Sequence, residues 1–262
     1  MEDICINESE IWGSVLKEAH EIAETELSLR ALVEDIFLSQ GDIYSSIAAR
    51  ISRKLGRHAV DYSEIYKNFM DAFSGDPVMR RNILRDIVAV RMRDPACPSY
   101  IAPILYLKGF QSITIHRVAH WLWNGGRRHM AFYMQSICSE IFGVDIHPAA
   151  RFGGGIMLDH ATSFVAGETS VVEDNVSILH EVTLGGTGNE TGDRHPKVRS
   201  GVLIGAGAKL IGNIEIGKCA KIGAGSVVLD DIPAHTTVVG IPARPVGSAT
   251  EDDPAEKMNQ RF

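Results

Sequence analysis

Apolar positions along the chain follow two different periods, and the change falls near Val144. Before it, hydrophobic residues recur every three or four positions, as in Ile11, Val15, Ala19 and Ile22 and again in Ile43, Ile47, Ile51 and Leu55. That spacing gives a helix one apolar face to bury. Breaks are expected at Gly41-Asp42, at Gly56, at Ser74-Gly75-Asp76-Pro77, across Asp94–Pro98 with its two prolines, and at Gly125-Gly126. Residues 1–143 are therefore predicted to form an all-helical domain of about six to eight helices.

After Val144 the period becomes six. One register runs Ile146, Phe152, Leu158, Phe164, Ser170, Val176 and Val182; a second runs Ile204, Leu210, Ile216, Ile222 and Val228. Eleven of these twelve are apolar, about twice what a chain that is 45% hydrophobic would give by chance. Glycine follows at Gly153, Gly205, Gly217 and Gly223, and 17 of the 25 glycines lie in residues 144–247. A six-residue unit supplies one short strand and one tight corner, so three units close a triangular coil of about 18 residues with its apolar positions inward. Such coils stack about 4.8 Å apart, as neighbouring strands do. The two registers are out of phase by four residues. Hence the polar stretch Gly188–Gly201 is expected to leave the prism as one projecting loop, the kind of place where function collects. The remaining residues, 248–262, read as a charged C-terminal tail.

Charge and composition narrow the function. The net charge of −7 offers no positive field to gather nucleic acid or an anionic membrane. The N-terminus carries acids where a secretory signal would carry cations, and no apolar run approaches the roughly 20 residues of a spanning helix. A cytoplasmic protein is expected. Cys5, Cys97, Cys138 and Cys219 show no paired spacing, which suits reduced, mostly buried thiols better than zinc or disulfides.

Polar, titratable groups replace turn residues in the first coils. Asp145-Ile146-His147-Pro148 is followed by Leu158-Asp159-His160-Ala161-Thr162. A histidine with a carboxylate partner is the usual apparatus for taking a proton from a hydroxyl, the acid fixing the tautomer and steadying the imidazolium. His160 with Asp145 is the candidate pair; a solvated corner is the plain alternative. In the loop, Asp193-Arg194-His195-Pro196-Lys197 sets a guanidinium fork and an imidazole where a small anion could meet them, and a surface charge cluster is the alternative. The glycine-rich run around Gly185-Gly186 leaves backbone amides open to an extended ligand, and Lys209, Lys218, Lys221 and Arg244 could neutralise a phosphate or be scattered surface charge. His116 and His120 sit beside Trp121 and Trp123 and read as helix-packing or surface residues. No pair of histidines five apart follows residue 144, which weighs against a zinc carbonic anhydrase built on such repeats.

The strings DIHPAARFGGGIMLDHATSFVAGET, VSILHEVTLGGTG, GDRHPKVRSGVLIGAGAKLIGNIEIG and KIGAGSVVL, with RDPACPSY and HRVAHWLWNGGRR before them, resemble bacterial serine O-acetyltransferases across nearly the whole chain. The resemblance implies an α+β chain, helical first and then a left-handed parallel β-helix. It also implies direct acetyl transfer from acetyl-CoA to the L-serine hydroxyl, as the first step of cysteine biosynthesis, with no permanently bound cofactor and no metal. His160 matches the family's general base and Asp145 its partner; Asp94 and Asp159 match the carboxylates that hold the serine ammonium, Arg194 and His195 the groups that bind its carboxylate. CoA is expected along a groove between β-helices near Gly186, Ala206, Ala224 and Lys221, a backbone amide near Gly186 steadying the oxyanion. The resemblance further implies trimers, paired into hexamers, with shared sites and inhibition by L-cysteine. The family's tail ends in isoleucine and binds cysteine synthase. Here the sequence ends Asn259-Gln260-Arg261-Phe262, which counts against that docking. Two other readings stay open, an acetyltransferase for a sugar or another small alcohol and a non-catalytic trimeric scaffold.

Overall fold

A computed structural model describes residues 7–56, 60–188, 191–249 and 251–260; Cys5, Arg261 and Phe262 lie outside them. The helical half contains α1 (Glu8–Thr25), α2 (Arg30–Val33) running into a π-helical turn at Glu34–Leu38, α3 (Ile43–Leu55), α4 (Tyr62–Gly75), α5 (Pro77–Arg93), α6 (Ile101–Leu105), α7 (Lys108–Asn124) and α8 (Arg128–Phe142). The sequence breaks become caps. Asp42 accepts the Ser45 N–H in a capping box, and Asp76 accepts from Val78 and Met79 ahead of Pro77 at the first helical turn. The periodic positions Ile11, Val15, Ile43, Ile47, Ile51 and Leu55 are all buried.

From Val144 the chain winds a parallel solenoid of about five coils. The first is β1 (Val144–Ile146), β2 (Arg151–Phe152) and β3 (Met157–Leu158); the second β4 (Phe164–Ala166), β5 (Val171–Val172) and β6 (Ser177–Ile178). The third is β7 (Thr183–Gly185), β8 (Lys197–Val198) and β9 (Leu203–Ile204); the fourth β10 (Lys209–Ile211), β11 (Glu215–Ile216) and β12 (Lys221–Ile222). Then come β13 (Val227–Val228) and the antiparallel pair β14 (Thr236–Gly240) and β15 (Ala243–Ser248). Three sheets form the faces: β1-β4-β7-β10-β13 (face A), β2-β5-β8-β11 (face B) and β3-β6-β9-β12-β14-β15 (face C). Leu158, Ile178, Ile204, Ile222 and Val238 stack inward along face C.

Two corners break the eighteen-residue coil. From Leu158 to Val165 the chain takes seven steps, whereas from Ile178 to Thr183, one coil on, it takes five. From Ala166 to Val171 it takes five steps, and from Leu184 to Lys197 thirteen. The insertions are thus two residues at the C/A edge and eight at the A/B edge, and these ten less one period of six give the four-residue phase difference. The smaller insertion was invisible to a count in sixes because two residues preserve the alternation of inward and outward side chains. The larger ends sooner than the sequence suggested. Lys197 and Val198 are already back in face B, with Val198 fully buried, so the projecting loop is 186–196 and not Gly188–Gly201.

The helical half is bolted to the prism by buried charge. Arg117 of α7 holds Asp86 of α5 (2.7 and 2.9 Å) and donates to the Phe152 carbonyl, while Asp86 accepts the Ile156 N–H at 2.8 Å. At Gly109 of α7 a Cβ would fall 1.8 Å from the Leu158 carbonyl oxygen, so the crossing requires glycine. Arg93, at the end of α5, donates to the Gly155 carbonyl and to Ser177 Oγ, both at 3.0 Å. The C-terminal tail docks where the two halves meet. Its short α9 (Pro254–Lys257) packs against α5, Ser177 Oγ donates to the Ala255 carbonyl, and Met258 joins Val90, Cys97 and Met157. Cys97, Cys138 and Cys219 are free and buried.

Candidate active site

The C/A edge carries a column of corner residues. Extending the face C register by two places puts His160, His180, Ala206 and Ala224 above one another in successive coils. The Gly207 N–H donates to the His180 carbonyl (2.9 Å) and the Gly225 N–H to that of Ala206 (2.8 Å), while below His180 the Glu181 N–H donates to the Thr162 carbonyl (2.7 Å), so His160 lies in the inserted part of the corner and outside this ladder. In the first corner His160, Ala161 and Ser163 stand in the left-handed region, with φ of 55°, 59° and 59°, as Asn175, Glu181, Cys219 and His235 do elsewhere in the solenoid. Such strain in non-glycine residues concentrates at functional sites. It thrusts the His160 side chain outward, 74% exposed, 3.8 Å from Asp159 and with its ring 5.7 Å from and nearly perpendicular to that of His180.

Asp159 is more enclosed. Burial pushes its carboxyl up and the nearby Asp94 adds to the shift, while His160 and His180 pull the other way. Asp94 reaches this spot as the C-cap of α5, where its Oδ1 accepts the Ala96 N–H at 2.8 Å. Two carboxylates, one half-buried, therefore converge beside the exposed imidazole. A bound ammonium would relieve both their repulsion and the cost of burying Asp159.

The A/B edge is built in the opposite way. Arg194 donates to Glu168 Oε2 (2.7 Å) and to the Gly192 carbonyl (2.9 Å), using part of its donor set. The Thr169 hydroxyl accepts the backbone N–H groups of Arg194 (3.0 Å) and His195 (3.1 Å) and donates to His195 Nδ1 at 2.9 Å. That nitrogen also accepts the Thr169 N–H at 3.3 Å, so the hydrogen-bond network assigns the ring proton to Nε2. His195 is 7% exposed, and burial, then the charges of Arg194 and Lys197, hold its proton affinity below the usual range. Its ring lies on Gly167, where a Cβ would come within 1.9 Å of Nε2. Gly186 belongs to this same edge, its Cα facing the Arg194 carbonyl and His195.

The sequence-derived residues are thus brought together in two groups. Asp94, Asp159 and His160 share the C/A edge with Ala206 and Ala224; Arg194, His195 and Gly186 share the A/B edge. The width of face A separates them within one chain. Asp145 lies on that face in β1, where its Oδ1 accepts from Gln135 Nε2 at 2.6 Å; among the described residues no hydrogen bond or ion pair joins it to His160. Lys221 is placed apart from both edges. Its side chain is 4% exposed on face C beneath the tail, with Nζ 3.6 Å from Glu251, so this conformation does not offer its ammonium to a phosphate. Sequence reasoning gave no site role to His180 or Thr169. For His180 a signal existed, since the two-residue insertion, once counted, aligns it with His160. Among the described residues no group of three or more His, Cys, Asp or Glu could hold a metal ion.

Comparison with known proteins adds a family. Residues 11–115 match the family model described as serine acetyltransferase, N-terminal, and residues 195–230 match bacterial transferase hexapeptide (six repeats). A serine acetyltransferase of Salmonella typhimurium is 49% identical over 252 residues, covering 96% of this chain and 92% of that one. Among solved structures, Vibrio cholerae serine acetyltransferase superposes with a TM-score of 0.96 at 47% identity, over 98% of this chain and 99% of that one. The Brucella abortus enzyme in complex with coenzyme A gives 0.90 at 50% identity, covering 91% and 96%. A serine acetyltransferase in complex with cysteine gives 0.95 at 46%, covering 98% and 100%.

Proposed function

The chain belongs to the serine acetyltransferase family, acyltransferases with acetyl-CoA as co-substrate, and we propose that it moves acetyl directly to the L-serine hydroxyl at a site assembled from two protomers. The observation that carries this reading is the pairing of two half-sites of opposite character on different edges of one prism: acids and an open imidazole at C/A, a guanidinium and a neutral imidazole at A/B. A rotation that closes three parallel copies into a ring joins unlike surfaces, so the C/A edge of one copy meets the A/B edge of the next. In that groove the serine ammonium sits between Asp94 and Asp159. Its carboxylate takes the fork of Arg194 and the Nε2 proton of His195, and its hydroxyl is left facing His160.

His160 then accepts the hydroxyl proton as the oxygen attacks the thioester carbonyl carbon. The tetrahedral intermediate collapses with loss of the CoA sulfur, and His160 returns the proton to that sulfur. Asp145 orients the His160 ring in the assembled site, and a backbone amide near Gly186 faces the oxyanion. The small residues Ala206 and Ala224 leave room for an extended pantetheine along the same column that ends at the base. L-cysteine, which differs from serine by sulfur for oxygen, fits the same amino-acid clamp and acts as the feedback inhibitor. The protein works in the cytoplasm as a trimer, paired through its helical domains into a hexamer.

The test is release of CoA thiol from acetyl-CoA with L-serine, homoserine, threonine or a sugar as acceptor. Fast release with L-serine alone, suppressed by L-cysteine in competition with serine, is expected. Faster release with a sugar, or none with any acceptor, would overturn the reading.

A further inference from the structure

We infer that Lys108 of the helical half is a positioning residue for the base: through Thr162 it holds the inserted corner that carries His160. This rests on the reading of His160 given above. The corner Asp159–Ser163 joins β3 to β4 and turns by two consecutive three-residue bonds, Ala161 N–H to the Asp159 carbonyl (2.6 Å) and Thr162 N–H to the His160 carbonyl (2.7 Å). His160, Ala161 and Ser163 all have positive φ, whereas the corner one coil on at the same edge has a single such residue, Glu181. A run of this kind persists only where its surroundings over-determine it.

On one side the second coil supplies the restraint: the Asp159 N–H donates to the Ile178 carbonyl and the Glu181 N–H to the Thr162 carbonyl, both at 2.7 Å. On the other side β1, β2 and β3 are edge strands, and the helical half takes over. Gly143, closing α8, accepts the Ser163 N–H at 2.7 Å. Gly109 fixes the start of α7 against the Leu158 carbonyl, and beside it Lys108 donates from Nζ to Thr162 Oγ1 at 2.5 Å. Thr162 is therefore the junction. Its hydroxyl accepts the ammonium and donates to the His160 carbonyl (3.4 Å), and a hydroxyl that accepts from a cation becomes a stronger donor in turn. Among the described residues Lys108 is the one side chain outside the corner that hydrogen-bonds into it. The chain of contacts ends on the backbone of the base and leaves its ring free for substrate.

The experiment compares Lys108→Met, Thr162→Val, Thr162→Ser and the double variant Lys108→Met/Thr162→Val with His160→Ala in steady-state assays of the intact oligomer, alongside thermal melts. Lys108→Met and Thr162→Val are each expected to lower kcat about 10-fold, with KM for serine and acetyl-CoA within about twofold of the parent, since a misplaced base slows the chemical step and not binding. The double variant is expected to be no more than about twofold slower than either single one, because both changes cut the same bond. Thr162→Ser, which keeps the hydroxyl, should recover kcat to within about threefold. Melting temperatures should stay as in the parent, the bond lying at an exposed corner. Unchanged kcat in Lys108→Met while His160→Ala is inactive would overturn the inference and leave the base in place. Losses that multiply to about 100-fold in the double variant, or a raised KM with kcat unchanged, would overturn it too, by making Lys108 act on its own. If Lys108→Met fails to assemble, the Val and Ser pair at Thr162 decides: Thr162→Ser as slow as Thr162→Val would sink the proposed relay. Undiminished turnover in His160→Ala would remove the base and this inference together.

Discussion

The two edges that flank face A solve the problem of holding a functional side chain in opposite ways. At A/B the insertion is eight residues, yet it ends fixed: one threonine hydroxyl caps two backbone N–H groups and sets the His195 tautomer, and a glycine floor brings the ring within 7% exposure. At C/A the insertion is two residues, yet it leaves His160 strained in its backbone and three-quarters exposed at its tip. The length of an insertion therefore does not set its order; the hydrogen bonds it finds do. The A/B side chains are thus held within one chain, whereas the imidazole proposed as the base is left open to solvent.

The largest effect should come from the open edge. His160→Ala removes the proposed proton acceptor, and general-base catalysis of this kind contributes roughly 10²- to 10⁴-fold. Turnover is expected to fall by about 10³-fold while the oligomer and the melting temperature stay as they are, because an exposed corner side chain carries little packing. A mutant that loses assembly along with activity would mean that the C/A corner is structural and the contrast between edges is wrong. Arg194→Ala tests the finished edge. A hydrogen bond to a charged group is worth about 1.5–3 kcal/mol, so serine KM should rise roughly 10- to 100-fold with kcat much less changed, as expected for a contact made equally before and during reaction. An unchanged serine KM would take Arg194 out of the site and leave the A/B edge as a bound loop only.

The same contrast explains what could be read from the sequence. The helical and hexapeptide periods come from burial, which writes itself at fixed spacing, so Ile11, Val15, Ile204 and Ile222 announced their places. The candidate catalytic corner was visible as Asp159-His160 where glycine was due. What stayed hidden was register: two inserted residues keep the inside-outside alternation, so the count in sixes slid past them and with them past the alignment of His160 with His180. Thr169 was hidden for another reason. Its role depends on backbone donors 25 and 26 residues away, which no local pattern reports. Lys221 was judged by charge type alone, and its cover by the tail could not be read from the sequence.

The smallest expected effect sharpens the comparison through pH. Burial lowers the proton affinity of His195, so below about pH 6.5 the unfolded chain takes up a proton that the folded chain refuses. The stabilising contribution of the neutral, buried ring is thus fully present above that range and is lost as pH falls through it. One proton is worth at most about 1.4 kcal/mol per pH unit, and the expectation lies below that ceiling. His116 and His147 are shifted the same way by burial, and Asp159, pushed up, titrates at lower pH with the opposite sign. All three are common to parent and variant and cancel in a difference. His195→Gln, which keeps a side-chain acceptor for Thr169 but cannot titrate, should therefore lose less stability between pH 7 and pH 5 than the parent, by a few tenths to about 1 kcal/mol in denaturant melts. Parallel curves for the two proteins would show that the A/B imidazole is as open to protons as a solvated one, and the distinction between a finished and an unfinished edge would rest on hydrogen bonds alone.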